Sequence, residues 1–513
     1  MGTDGTAPAG DAPDDGIDGG ADAGAGGMGQ RQAVALVFGS SAAVLVVEIV
    51  ALRLLAPYLG LTLETSTLVI GLALAAIAGG SWVGGRWADD RDGRALLGLL
   101  LSASGVVVAA TPFLVRGSAS FAGGAFLLLA AAATIIVPGW LLSAVTPIVT
   151  KLRLRSLART GAVVGSLSGI GTVGAITGTV LTGFVLVSRV PVTWIMVGLG
   201  IGLVVAGLAV EVVARRGAAA AVAGVVLVGG VAAGVLPSGC DAETQYHCAR
   251  VEVDPGRASG RTLVLDNLRH SYVDLADPTH LEFDYVRALA AATESRWPAG
   301  APLVAHHLGG GGLTLPRWLA ATRPGTTSTV SEIDAGVVAI DEEHLGLRTG
   351  PDLVVRVEDA RLGLVAEDAG TRDLVVGDAF GGVSVPWHLT TRESLTEVRR
   401  VLRPEGVYAA NLIDNAPHAF ARAEVATLRT VFDHVVLATT PDVAEGRGGG
   451  NLVVLASDAP LDAAAWQRAV TARGTDWRVL EGEALDSWVG AAQVLTDDHA
   501  PVDQLLTPYR ITA

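Results

Sequence analysis

The sequence predicts a multi-span α-helical membrane domain followed by a small β-region and an α/β, doubly wound domain. Three observations carry that prediction. Long apolar stretches fill residues 31–237 and then stop. Beyond them, apolar runs of strand length alternate with helical stretches, the rhythm of a parallel, doubly wound sheet. Among these runs HHLGGGG, His306 to Gly312, sits where a strand gives way to a helix. Composition agrees: half of the 513 residues are hydrophobic and 65 are glycine, more apolar content than a soluble enzyme of this length needs for its core.

Residues 1–30 are mostly Gly, Ala and Asp with no basic residue. Such a segment buries too little apolar surface to offset the entropy of ordering and reads as a disordered acidic tail. A signal peptide needs a basic start and a short apolar core; here the apolar stretch begins late and runs long, so the first span is expected to be retained. The formal net charge of -15 gives a nucleic-acid partner no electrostatic support.

At roughly 20 apolar residues per bilayer crossing, seven candidate spans follow, near 33–57, 64–85, 95–115, 121–147, 161–187, 190–212 and 217–236. The last, mostly Ala, Gly and Val, is the weakest. Short loops set orientation through Lys and Arg. Arg86, Arg91 and Arg94, then Lys151, Arg153, Arg155 and Arg159, then Arg215 and Arg216 occupy alternate loops. Those loops are expected on the cytoplasmic side with the N-terminus. Seven spans deliver the C-terminal half to the outside and six leave it inside. Cys240 and Cys248, the two cysteines of the chain, follow the last stretch. An oxidising compartment would let them pair; otherwise they are two free thiols. Neither a CxxC nor a Cys/His cluster suggests a metal.

Within the spans, VVEIVALRLLAPYLG puts Glu48 deep in the first helix and Arg53 a turn and a half later. Intramembrane charge suggests function, here transport, while the plainer reading has Arg53 snorkel and Glu48 bond to a neighbouring helix. The stretch GSLSGIGTVGAITGTVLTGF spaces Gly165 from Gly169 and Gly174 from Gly178 by four. Small residues at that spacing let helices approach closely, within the bundle or across a homodimer seam.

From about residue 238 the pattern changes. TQYHCARVEVD and RTLVLDNL read as strands joined by a Pro/Gly turn, and DPTHLEFDYVRALAAA as a turn opening a helix; this β-region and its helix run to about 290. From 291 to 513 an α/β domain follows. APLVAHHL is a buried strand, GGGG a turn and LPRWLAAT a helix, so Gly309, Gly310 and Gly311 can turn backbone N–H groups toward a ligand. TSTVSEID is a strand ending in acids. A carboxylate accepts two hydrogen bonds from a vicinal diol, so Glu332 or Asp334 suits a ribose. VVRVEDA, DLVVGDAF and GVYAANLI are further strands, with TRESLTEVRRVL a helix. Asp359 is a candidate for an adenine amine or a solvated strand-end acid. Asp378, ending its strand at the same crevice, is a candidate general base or a cap.

These residues together resemble the membrane-fused members of the spermidine synthase family, the polyamine aminopropyltransferases. The carriers are LVLDNLRHSYVDLADPTHLEFDYVRAL, LGGGG with PRWL, VSEID, VEDA and GDAFGGVSVPWHLTT, with EIVALRLLAPYLG in the first span. The resemblance implies a spermidine synthase-like, methyltransferase-like fold with Gly309, Gly310 and Gly311 in the glycine loop. It implies Glu332 on the ribose of decarboxylated S-adenosylmethionine, Asp359 and Ala360 at the adenine, and Asp378 deprotonating the attacking amine. Tyr246, His247 and Tyr285 would line the substrate. The donor is a co-substrate, no cofactor is tightly bound, the acceptor is a small amine such as putrescine, and the chain is a multi-pass protein of the cell membrane. Four positions depart from the family pattern: Gly312 and Gly381 stand where acids are usual, His247 replaces a Gln although Gln245 is near, and Val286 replaces a His. The lost acids would help hold a diamine. A methyltransferase-like enzyme with another acceptor, and a transporter with a non-catalytic nucleotide-binding-like domain, are the alternatives.

Overall fold

The computed structural model describes residues 28–59, 63–119, 124–154, 160–187, 189–214, 240–382 and 384–506. The acidic tail and the seventh candidate span, 217–236, lie outside the described residues. Apolar sequence without polar interruption becomes helix: α1 (Gln30–Leu59), α2 (Leu63–Asp90), α3 (Gly93–Ala119), α4 (Gly124–Ser143), α5 (Val145–Arg153), α6 (Thr160–Leu181) and α7 (Val192–Ala214). α5 continues the line of α4; Pro147 has no N–H for the helical bond across the break. Counted with that pair as one, six helices among the described residues are long and apolar enough to cross a membrane.

Val37, Leu97, Val108, Ile148 and Met196 form the interior of this bundle, while Leu68, Trp82, Leu129, Phe184 and Trp194 face outward. An apolar surface of that extent suits lipid rather than water. The small-residue stripe of α6 is used in part. A Cβ at Gly174 or Gly178 would strike the backbone of α1 at Phe38 or Ala42, whereas Gly165 and Gly169 have open space around them. The first pair therefore sets the α1–α6 approach.

Beyond the bundle, Cys240 is disulfide-bonded to Cys248, with a Cα–Cα distance of 5.4 Å. β1 (Ala242–Glu243), β2 (Cys248–Val253), β3 (Gly260–Leu265) and β4 (Leu268–Asp274) form an antiparallel sheet in that order. Helix Asp284–Arg296 leads into an eight-stranded sheet of β5 (Val304–Leu308), β6 (Thr327–Glu332), β7 (Leu353–Val357), β8 (Arg372–Gly377), β9 (Leu402–Asn415), β10 (His434–Thr439), β11 (Gly449–Ser457) and β12 (Arg478–Leu480). Its order is β12-β10-β11-β9-β8-β5-β6-β7. β5 to β9 run parallel, as the alternation predicts, and β11 turns the far edge antiparallel. Helices cover both faces, one around Leu289, Trp318 and Trp466 and the other around Leu395, Phe420 and Trp488.

The strand order reverses at β5, where β6 lies on one side and β8 on the other. A doubly wound sheet opens its ligand crevice at that point, outside the carboxyl ends of the strands.

The two halves meet through named contacts. Arg53 Nη2 donates to the Thr244 carbonyl at 2.7 Å, and Arg116 Nη2 reaches both Glu243 Oε1 and Thr193 Oγ1 at 2.7 Å. Arg53 thus reaches from its helix to the β-region, and Glu48 is half-buried in α1. The opposite end of the bundle holds Lys151 with Asp89, Arg153 on the Met28 carbonyl, and Arg86 and Arg91 over the rings of Trp82 and Trp87.

Candidate active site

One cavity of about 690 Å³ opens along the carboxyl edge of the large sheet, under the β4 hairpin and the start of helix Asp284–Arg296. Gly309, Gly310 and Gly311 form its floor at the switch point. Gly309 has φ +97°, and a Cβ there would press on the Asp378 carbonyl oxygen at 2.5 Å. The loop after β5 can lie against the loop after β8 only because that side chain is missing.

Glu332 ends β6 and lines the cavity. Its Oε2 accepts the Gly310 N–H at 2.8 Å and its Oε1 the Asp334 N–H at 2.9 Å, which fixes the carboxylate over the glycine loop. Asp334 faces elsewhere. It caps helix Ala335–His344 through Gly336 N at 2.9 Å, accepts the Thr244 hydroxyl, and is buried outside the cavity lining. Of the two acids that end this strand, Glu332 is the one that lines the cavity.

Asp359 and Ala360 line the same half. Asp359 has partners within the chain: Oδ1 caps helix Ala360–Val365 by accepting Arg361 N at 2.9 Å, and Oδ2 meets His388 Nε2 at 2.9 Å beside the cavity. Beneath them runs a buried chain. His306 Nε2 contacts Ser331 Oγ at 2.8 Å, and that hydroxyl donates to Glu358 at 2.9 Å. His306 Nδ1 lies 3.3 Å from Glu367, which Arg372 also engages. Burial works against the Glu367 anion, yet these two partners hold it down to about 2.

Asp378 follows β8 at the centre of the crevice. Burial pushes its carboxyl up to about 7, against the pull of hydrogen bonds from Asn411 and Tyr285. Asn411 Nδ2 donates to Asp378 Oδ1 at 2.8 Å, and Asn451 Nδ2 donates to Asn411 Oδ1 at 2.9 Å. The Tyr285 phenol is raised well above 10, first by burial and then by the Asp378 charge, so it remains a donor. A carboxyl half-ionised near neutrality and held by the Asn411 amide is suited to accept a proton there. Asp378 caps no helix.

His247 lines the cavity with Nδ1 3.0 Å from Asp266, near His270, whose pKa burial and the His247 charge lower to about 4. Tyr246 is a correction to the expected set. It lies outside the lining, its backbone N–H held by Thr244 Oγ1 and Asp334 Oδ2. Gly312 is also explained. A Cβ there would meet Ser271 at 3.0 Å, Val273 at 3.2 Å and Leu345 at 3.3 Å, and its N–H donates to Ser271 Oγ, so β4 fills the space an acidic side chain would take. Sequence reasoning missed Asn411, Asn451 and His388. The signal for Asn411 was present, a polar residue interrupting the apolar strand VYAANLI near its crevice end.

The doubly wound sheet with this acid-edged, glycine-floored crevice defines the class as a methyltransferase-like transferase fold. No family model matches the chain. A polyamine aminopropyltransferase from Vibrio vulnificus is 30% identical over 212 residues, covering 39% of this chain and 68% of that protein. One from Chromobacterium violaceum is 28% identical over 141 residues, 28% of this chain and 53% of its own length. Among solved structures, a probable spermidine synthase from Corynebacterium glutamicum is 28% identical with a TM-score of 0.48, covering 50% of this chain and 95% of that one. The chain belongs to the polyamine aminopropyltransferase family.

Proposed function

We propose that the chain is a membrane-tethered aminopropyltransferase, moving the aminopropyl group of decarboxylated S-adenosylmethionine onto an amine, with the diamine putrescine the first acceptor to test. The observation that carries this reading is Asp378, half-buried at the seam of the cavity with its carboxyl pushed up to about 7. On one side lie the acids Glu332 and Asp359, and on the other the neutral edge of β9 to β12. Glu332 would bind the ribose hydroxyls, Asp359 and Ala360 the adenine edge, and the N–H groups of Gly309 to Gly311 the adjoining chain of the donor.

The chemistry asks little else of the protein. The amine attacks the carbon next to sulfur, the C–S bond breaks, and its electron pair neutralises the sulfonium to give methylthioadenosine. Asp378 takes the proton the nitrogen loses. Sulfonium is already a good leaving group, so positioning and proton removal are the main tasks. Titration of the full-length protein in detergent with methylthioadenosine, decarboxylated S-adenosylmethionine and S-adenosylmethionine tests the reading. Binding of the first two, and methylthioadenosine release that Asp378→Asn abolishes, are expected. Preference for S-adenosylmethionine with methyl transfer would replace this reading by the methyltransferase one.

We further propose that the catalytic half lies on the outer face of the cell membrane. The β-region docks on the ends of α1 and α3 and the start of α7, while the Lys and Arg residues cluster at the other end. Basic ends mark the cytoplasmic side. Ala214 ends α7 at the basic end, near the start of α3, and Cys240 lies at the docking end. The Cys240–Cys248 disulfide supports an oxidising compartment. Labelling of Cys248 in a Cys240→Ser variant of intact cells by a membrane-impermeant maleimide is expected; labelling only after lysis would overturn this orientation.

A further inference from the structure

We infer that the acceptor is a primary amine carrying a single positive charge and an uncharged tail, rather than a diamine. This rests on the transfer reading above and narrows it. Six carboxylates line the cavity: Glu282, Asp284, Glu332, Glu358, Asp359 and Asp378. Five already have work. Glu332 holds two backbone N–H groups, Glu358 the Ser331 hydroxyl, and Asp359 both a helix end and His388. These three also sit at the ends of β6 and β7, the nucleoside side of Asp378. Glu282 and Asp284, at the mouth, are paired with His280 at 3.2 Å and Arg287 at 3.0 Å.

That leaves Asp378, whose donors, the Asn411 amide and the Tyr285 phenol, are both neutral. Past it, the acceptor edge of the sheet presents Ile413, Gly450, Asn451, Thr440 and Trp477, with no charge among them. The mouth adds a cation, Arg269, whose guanidinium lies 5.1 Å above the Phe283 ring. A diamine bound with one nitrogen at Asp378 would carry its second ammonium into this neutral stretch or toward the mouth, where Arg269 stands beside Glu282 and Asp284, acids that already have partners. An ammonium stripped of water without a paired anion is disfavoured, so the site selects against the second charge. A tail ending in a hydroxyl or a methyl group meets no such penalty, and Asn451 and Thr440 offer hydrogen bonds to the former.

The isosteric pair 4-aminobutan-1-ol and putrescine tests this in the full-length protein with decarboxylated S-adenosylmethionine, methylthioadenosine release being the readout. The amino alcohol is expected to show kcat/KM at least tenfold above putrescine. Thr440→Asp places an acid at the acceptor edge, at a helix N-cap where Asp is favoured, and is expected to reverse the preference. Equal or better use of putrescine by the unmodified protein overturns the inference and leaves aminopropyl transfer standing. Release with neither acceptor, nor with butylamine, from protein that still binds methylthioadenosine removes the transfer reading itself and this inference with it. A melting curve of Thr440→Asp checks its folding, and the comparison in the unmodified protein decides without it.

Discussion

Replacing Asp378 by Asn should stabilise the protein in neutral and alkaline solution while abolishing its activity. The ordinary aspartate pKa is 3.8, and burial pushes this carboxyl up to about 7. The folded state therefore holds the proton more tightly than the unfolded chain between those values, and stability falls as pH rises from about 4 to about 7, then levels off. At about 1.4 kcal/mol per pH unit, keeping the buried anion costs the fold about 4 kcal/mol at pH 8 and about 1.5 kcal/mol at pH 5. Asparagine keeps an oxygen for the Asn411 amide and carries no charge at either pH. Its advantage over aspartate should be about 2.5 kcal/mol larger at pH 8 than at pH 5, or roughly 5–10 °C in melting temperature for a domain of this size. Tryptophan fluorescence melts of the full-length protein in detergent at the two pH values measure it. Methylthioadenosine release should drop by about 10²–10⁴, the usual contribution of a general base. Equal melting shifts at pH 5 and pH 8, or an activity profile whose acid limb lies near 4, would refute the buried, proton-accepting Asp378.

Three further outcomes follow from the same geometry. Tyr285→Phe removes a donor that favours the Asp378 anion, so the acid limb of the kcat/KM profile should move above about 7; a downward move would contradict the hydrogen bond. Glu332→Gln should weaken methylthioadenosine binding by about tenfold or more in calorimetry, since a neutral amide is a poorer acceptor for two ribose hydroxyls; unchanged affinity would take the ribose away from this residue. Gly309→Ala sets a methyl against the Asp378 carbonyl at a positive φ, and should lower stability by about 1–3 kcal/mol and impair donor binding. A variant melting with the parent would mean that the two loops are not in contact.

The alternation of strand and helix from residue 301 to residue 413 was legible because a buried parallel strand is a short apolar run and its crossover helix an amphipathic one. Glu332, Asp359 and Asp378 were legible because each ends such a run with an acid. What escaped notice depends on partners distant in sequence. Asn451 matters through Asn411 on the neighbouring strand, forty residues away, and His388 through Asp359. The resemblance implied Tyr246 together with His247, but residues 245 and 246 form a bend before β2, and His247 lines the cavity while Tyr246 does not. The far edge of β10 to β12, which supplies the neutral half of the crevice, went unread, although helices Ala419–Leu428 and Ala463–Ala472 lead into β10 and β12. Gly312 reads in the sequence as a lost acid; in the structure it is a position that β4 has closed.

Among the described residues a line of hydrogen bonds runs from the helical half to the crevice. Arg53, at the end of the first span, donates to the Thr244 carbonyl; the Thr244 hydroxyl donates to Asp334; and the Asp334 N–H donates to Glu332, the acid that faces the ligand. Asp334 also caps helix Ala335–His344, so the same carboxylate ties the β-region to the large sheet. Each link is short and largely buried, where a broken hydrogen bond costs more than at a surface. A displacement of α1 relative to the β-region would thus be felt first at the turn carrying Glu332, before it reached Asp378 on the other side of the glycine loop. One arginine of the bundle thus belongs to the framework that fixes the acid at the end of β6.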